Sequence, residues 1–374
     1  MLTEPLSVYL DLVRLCAALS VALSHVWAVV FPAHLLPWPG HDAVVVFFVL
    51  SGLVVAHATD RPDRPAAVYV EHRLARIWSV AIPALVLSAI AALFVPAGVT
   101  MHAATPITDV GTLWQALGLS AVFMAQSWNL DLTPPFNSPY WSLSFEVWYY
   151  ALFGLWAYLH GRVRVLALLA CAAMAGPKIL LLMPVWLFGA AIYHARFRLS
   201  GAGARALFGV TLAAGLLFFW FDCSVKLRDL AFVTWPGFMA TLHGANQFIG
   251  DTLLGLIVSA HFVAVANLRG SPAVQRAKAP LKLASSFTFS IYLYHMPLFA
   301  LLWGAFGLRS PAIIFLFLGL AIIAIGMVTE RKLAAWRGLI RRLIAGSTAA
   351  RTAAMPFGRR FRFSLMKFRP GTGT

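Results

Sequence analysis

The chain has 374 residues, 61% of them hydrophobic and 11% charged, with a mean hydropathy of +0.81; these values exclude a soluble globular domain and leave an integral membrane protein. Its net charge of +16 would point to nucleic acid in a soluble protein, but in a membrane protein it reports lysine and arginine gathered on one side. The cysteines Cys16, Cys171 and Cys223 are an odd, scattered set that gives neither a disulfide framework nor metal-ligand spacing.

Apolar runs and their breakers predict an all-α polytopic bundle of about ten transmembrane helices, near residues 9–30, 42–58, 74–96, 140–159, 164–177, 179–195, 206–221, 249–267, 284–304 and 311–329. No lysine or arginine precedes Arg14, so the first segment reads as a retained helix rather than a cleaved signal. The fifth and sixth runs are short and meet at Gly176–Lys178, which fits a re-entrant hairpin or tilted pair as well as two crossings. The stretch from Pro96 to Tyr140 has no lysine or arginine, and its run "LWQALGLSAVFMAQSW" suits the membrane interface.

Charge gives the orientation. Lys178, Lys226, Arg228 and Arg309 fall in the connections on one side and Arg14 inside the first span, while the other 24 of the 29 lysines and arginines fall on the opposite side or in the tail. The positive-inside rule then places both the N-terminus and the C-terminus in the cytoplasm. Residues 1–345 form one membrane-embedded domain and residues 346–374 a basic tail, whose "GRRFRFSLMKFRP" (Gly358 to Pro370) suits anionic lipid headgroups rather than nucleic acid.

Ionisable residues at membrane depth cost about 2.5 to 3.5 kcal/mol each and so call for a function. Arg14 and His25 are eleven residues apart, three turns and about 20°, so they share a helix face with about 16 Å of rise between them. Asp11, one turn before Arg14, is placed to pair with it. In "YWSLSFEVWYY", Glu146 lies roughly 9 Å below the surface, a depth like that of His25, so it is expected to orient the imidazole. His295 sits nearer the midplane, where a packing role is the first reading. Arg73 and Arg76, one turn apart at the start of the third span, suit a phosphate as well as ordinary positive-side anchoring.

Several of these stretches together resemble the acyltransferase 3 family of membrane acyltransferases. "LDLVRLCAALSVALSH" is similar to its first-helix arginine and histidine, "VVFFVLSGLVVA" (with Ser51) to its FFxLSG element and "EHRLARIW" to its RxxR element. "YWSLSFEVWYY" (with Ser142) is similar to its WSLxxE element, "FSIYLYHMPL" to its YLxH element and "TERK", with Glu330, to its last-helix glutamate. Val45 stands where an aspartate is frequent, and the proline after the glutamate is missing.

The resemblance implies a multi-pass enzyme of a bacterial-type inner membrane. It implies transfer of an acyl group, most often acetyl, from acyl-CoA as co-substrate, with no tightly bound cofactor, to a hydroxyl of a carbohydrate or exported glycan. The essential residues of the family map to Arg14 and His25, and its donor-associated arginines to Arg73 and Arg76. The expected machinery is therefore His25 as general base with Glu146 and Arg14, and donor binding by Arg73, Arg76 and Arg14. An acyl-histidine intermediate is the variant. Asp11, Ser51, Ser142, His295 and Glu330 are substrate-contacting or structural polar residues. A proton-coupled transporter is the rival reading of buried Arg, His and Glu, but no inverted repeat supports it.

Overall fold

The computed structural model describes residues 4–33, 39–60, 65–96, 98–99, 109–268 and 276–353, the last ten by backbone alone. Every regular element among them is helical: α1 (Glu4–Val30), α2 (Gly40–Thr59), α3 (Ala66–Phe94), α4 (Val110–Ala121), α5 (Tyr140–Tyr158), α6 (Gly161–Ala175), α7 (Pro177–Ala195), α8 (Gly201–Trp220), α9 (Cys223–Thr234), α10 (Pro236–Ala240), α11 (Phe248–Ala266), α12 (Lys278–Ser285), α13 (Thr288–Ala300), α14 (Pro311–Val328) and α15 (Leu333–Ala353). The basic stretch Gly358 to Pro370 lies outside the described residues.

Each of the ten predicted spans coincides with a helix. Seven helices are long and apolar enough to cross a membrane, or eight when the bent pair of α12 and α13 counts as one span. The difference from about ten lies in α5 and α6. α5 carries Tyr140, Trp141, Ser142, Ser144, Glu146 and three further tyrosines in its 19 residues, which lowers its hydropathy. α6 has 15 residues, about 22 Å of rise against a core of about 30 Å.

Local chemistry sets the helix ends. Asp109 accepts from the Thr112 amide at the start of α4 and Ser200 from the Gly203 amide at the start of α8. α6 and α7 meet at a single residue, Gly176, whose φ of +85° and close approach to the Trp128 backbone both exclude a side chain. The predicted junction is thus a direct turn. Lys178 just beyond it is not a loop cation; it is buried, and its ammonium donates to Gln126 Oε1 at 3.0 Å and the Leu130 carbonyl at 2.5 Å. A buried ammonium needs such oxygens, and they pin the 124–132 segment onto the α6–α7 turn.

Three ion pairs tie elements together at one end of the bundle, here called the basic end: Lys278 with Glu4, Arg341 with Glu71 and Arg196 with Asp60. α2 and α7 pack backbone to backbone in the middle. A Cβ on Gly52 would lie 2.0 Å from the Trp186 carbonyl oxygen, and one on Gly189 would lie 1.8 Å from that of Val49. Small residues permit such close crossings where lipid supplies no hydrophobic drive between helices. α14 turns Leu316, Phe317, Leu320 and Ile323 outward, as a lipid-facing surface requires.

Gly189→Ala should force the two helices apart and cost about 1 to 3 kcal/mol. Melting in detergent should fall for this variant and stay unchanged for Gly118→Ala, where a Cβ meets nothing within 4 Å.

Candidate active site

α1, α2, α3, α5 and α13 surround a cavity of about 720 Å³, counting its open mouth. Arg14, Arg73, Arg76, Ser51, Ser142 and Glu146 all line it, together with Tyr150, Phe289 and Tyr292. Six of the ten candidate residues therefore meet in one place. Most of the remaining wall is apolar, from Val44, Phe47, Phe48, Leu50, Val54 and Val55 of α2.

The arginines occupy the basic end of this cavity. Arg14 pairs with Asp11 at 3.5 Å, one turn back on α1 as the spacing predicted. Arg76 pairs with Glu330 at 3.3 Å, and its guanidinium lies 4.4 Å from the Phe289 ring centroid. Arg73 differs. Its guanidinium lies over the rings of Tyr150 and Tyr69, at 5.4 and 5.9 Å, its Nε is buried without a hydrogen-bond partner, and no carboxylate pairs with it among the described residues. A cation held by aromatic faces beside an open cavity is suited to an anionic ligand.

Glu330, 1% exposed, holds more than Arg76. Its Oε2 accepts from the amide and hydroxyl of Ser290, both at 2.9 Å, and its Oε1 from the Phe289 amide at 3.4 Å. α13 has no side-chain cap of its own, so this carboxylate satisfies its first-turn amides from outside and favours its dipole.

Glu146 is held by a different set of donors. Its Oε1 accepts from Ser51 Oγ at 2.6 Å and from the Tyr150 hydroxyl at 2.5 Å, and Trp186 Nε1 donates to the same Ser51 oxygen at 3.2 Å. α7, α2 and α5 are joined by this chain. Ser142 Oγ lies 2.6 Å from the Tyr292 hydroxyl, which also donates to the Pro139 carbonyl.

His25 and His295 are not among the residues that line this cavity; His295 lies one turn beyond Tyr292, which does, on α13. The rings are nearly parallel, with centroids 5.3 Å apart, and His25 Nδ1 is 3.1 Å from His295 Nε2. His295 Nδ1 lies 2.9 Å from the Ile291 carbonyl. A carbonyl can only accept, so His295 carries its proton on Nδ1 and presents the lone pair of Nε2. His25 must then donate from Nδ1, which puts the lone pair of its neutral ring on Nε2. The partner that fixes the His25 tautomer is thus His295, while the described hydrogen bonds of Glu146 go to Ser51 and Tyr150.

Sequence reasoning missed Tyr150, Trp186 and Tyr292 as site residues and gave His295 a packing role. Tyr150, one turn after Glu146, had the (i, i+4) spacing that could have drawn attention to it. His295 stood out in the stretch that resembles the YLxH element, but its contact with His25, like that of Trp186 with Ser51, joins residues more than 100 positions apart and had no local signal.

A family model described as an acyltransferase domain matches residues 7–331. Acyltransferase MdmB of Streptomyces mycarofaciens is 34% identical over 137 residues, which are 36% of this chain and 33% of that relative. The chain thus aligns with about a third of the length of that curated protein. No solved structure matches.

Glu330→Gln keeps the shape but removes the charge that Arg76 and the α13 amides share. The loss should be about 2 kcal/mol, read as a lower melting temperature in detergent; an unchanged melt would assign Glu330 no anchoring role.

Proposed function

The chain belongs to the acyltransferase 3 family, and from that premise we propose that it is a membrane O-acyltransferase that moves an acyl group, acetyl in the simplest case, from acyl-CoA to a hydroxyl of a carbohydrate or exported glycan. The observation that carries this reading is one cavity that gathers three guanidinium groups at its basic end beside an apolar α2 wall, with Tyr292 of its lining one turn before His295, the partner of His25. The basic end faces the cytoplasm of a bacterial-type inner membrane, in keeping with the positive-inside rule. Acyl-CoA approaches there, and its phosphates meet Arg73, Arg76 and Arg14. The pantetheine arm extends along the α2 wall past Ser51 and Glu146 and carries the thioester toward His25.

The chemistry follows from the tautomer. The acceptor hydroxyl gives its proton to His25 Nε2 as its oxygen bonds to the thioester carbonyl carbon. The carbon–sulfur bond then breaks, and the leaving thiolate recovers the proton from the imidazolium, giving an ester and free CoA thiol. His295 stabilises the imidazolium by keeping the acceptor Nε2 against His25 Nδ1–H, a positioning role. Glu146, with both described donors on Oε1, keeps Oε2 for a cavity occupant.

General base catalysis contributes about 10²- to 10⁴-fold in rate. His25→Ala should lower acyl transfer from radiolabelled acetyl-CoA by at least that lower figure while the protein still inserts and melts normally; near-normal transfer would overturn the assignment. Arg76→Ala should instead raise the KM for acetyl-CoA. His295→Asn should lower kcat with little change in KM, and an equal rise in KM would make it a donor-binding residue instead.

A further inference from the structure

We propose that a second cavity at the basic end, between the ends of α2, α5, α6 and α7, receives the adenosine 3′-phosphate of the CoA donor, with Arg164 on the phosphate and Trp156 under the purine. The proposal rests on the acyl-CoA reading above and adds to it a separate subsite for the nucleotide end.

The cavity encloses about 1090 Å³, counting its open side, and is lined by Phe153, Trp156 and Tyr158 of α5, by His160 and Arg164, by His194, and by Thr59 and Asp60 at the end of α2. The chemistry of this wall is that of a nucleotide site: two imidazoles and a guanidinium beside exposed aromatic surface. Arg164 is oriented before any ligand arrives, because its Nε donates to the Leu159 carbonyl at 2.5 Å, which leaves the two terminal nitrogens for a phosphate. Trp156 is 49% exposed, a large aromatic face at the polar end of a membrane helix with room for a stacked base. Tyr158 contributes its ring to the same wall.

Asp60 is the one carboxylate in the wall, and it is already engaged. The Tyr193 hydroxyl donates to its Oδ2 at 2.7 Å and Arg196 at 3.3 Å. That hydrogen bond from Tyr193, with the Arg196 charge, holds its carboxyl below the usual carboxylate range, so it is an ionised partner of Arg196 rather than an open repulsive charge.

The cavity also adjoins the arginine cluster. Tyr158 lies 5.5 Å, centroid to centroid, from Tyr69, whose ring lies below the Arg73 guanidinium. On α2, Val55 lines one cavity and Ala56 the other. A donor seated here would place its 3′-phosphate by Arg164, its pyrophosphate near Arg73 and Arg76, and its pantetheine in the first cavity.

The test is equilibrium binding of coenzyme A and of 3′-dephospho-coenzyme A to the purified full-length protein in lipid nanodiscs, which requires no acceptor. The wild type should bind coenzyme A about tenfold tighter than the dephospho form, the worth of one charge-assisted contact. Arg164→Ala should lose that preference by weakening coenzyme A alone. Trp156→Ala should weaken both ligands and keep the preference, which separates base stacking from phosphate binding and shows that the fold persists. If the wild type binds both forms equally, or Arg164→Ala keeps the preference, the subsite is overturned while the donor reading stands. If the wild type binds neither, the donor reading falls and the subsite with it.

Discussion

The carboxylate of Glu330 is the point on which the polar interior depends. In a membrane-embedded bundle, each buried charge and each buried helix-end amide needs a polar partner. Glu330 meets three such demands at once: it pairs with Arg76 of α3, accepts from the first-turn amides of α13 and accepts from Ser290 Oγ. The start of α13 is thereby fixed against α3, and the rest of α13 follows. Phe289 covers Arg76, Tyr292 enters the cavity wall, and His295 reaches His25.

The same economy of partners shapes the other polar residues. Trp186, Ser51, Tyr150 and Glu146 form one hydrogen-bonded chain through three helices, and α2 and α7 approach closely enough for it because Gly52 and Gly189 carry no side chains. Lys178, buried at the α6–α7 turn, recruits Gln126 and the Leu130 carbonyl. Arg73 is the exception: it faces aromatic rings with no carboxylate paired to it among the described residues. Arg73 is therefore the arginine of this cavity that has no carboxylate to give up when donor phosphates, as proposed, approach it.

Much of this was legible in the sequence because membrane depth and helical phase are local properties. Arg14 and His25 share a face by spacing alone, Asp11 pairs with Arg14 one turn away, and each apolar run became a helix. What was not legible depends on distant contacts. Glu146 and His25 lie at similar depths, which suggested a pair, yet depth says nothing of which helices are neighbours. α1 packs on α13 and presents His25 to His295, while α5 packs on α2 and presents Glu146 to Ser51. The run of large side chains likewise made α5 read as one more span, although its hydroxyl and carboxyl groups lower its hydropathy and Ser142, Glu146 and Tyr150 line the cavity.

Donor entry from the basic end is the claim on which the functional account turns, and membrane vesicles of defined orientation test it directly. Radiolabelled acetyl-CoA, which does not cross the membrane, would be supplied outside inverted and right-side-out vesicles from cells producing the protein, and label in the glycan fraction counted. Label should enter glycan in inverted vesicles, where the end bearing Arg73 and Arg76 faces outward, and His25→Ala should abolish it. Equal labelling in right-side-out vesicles, or labelling that survives the loss of His25, would contradict the account.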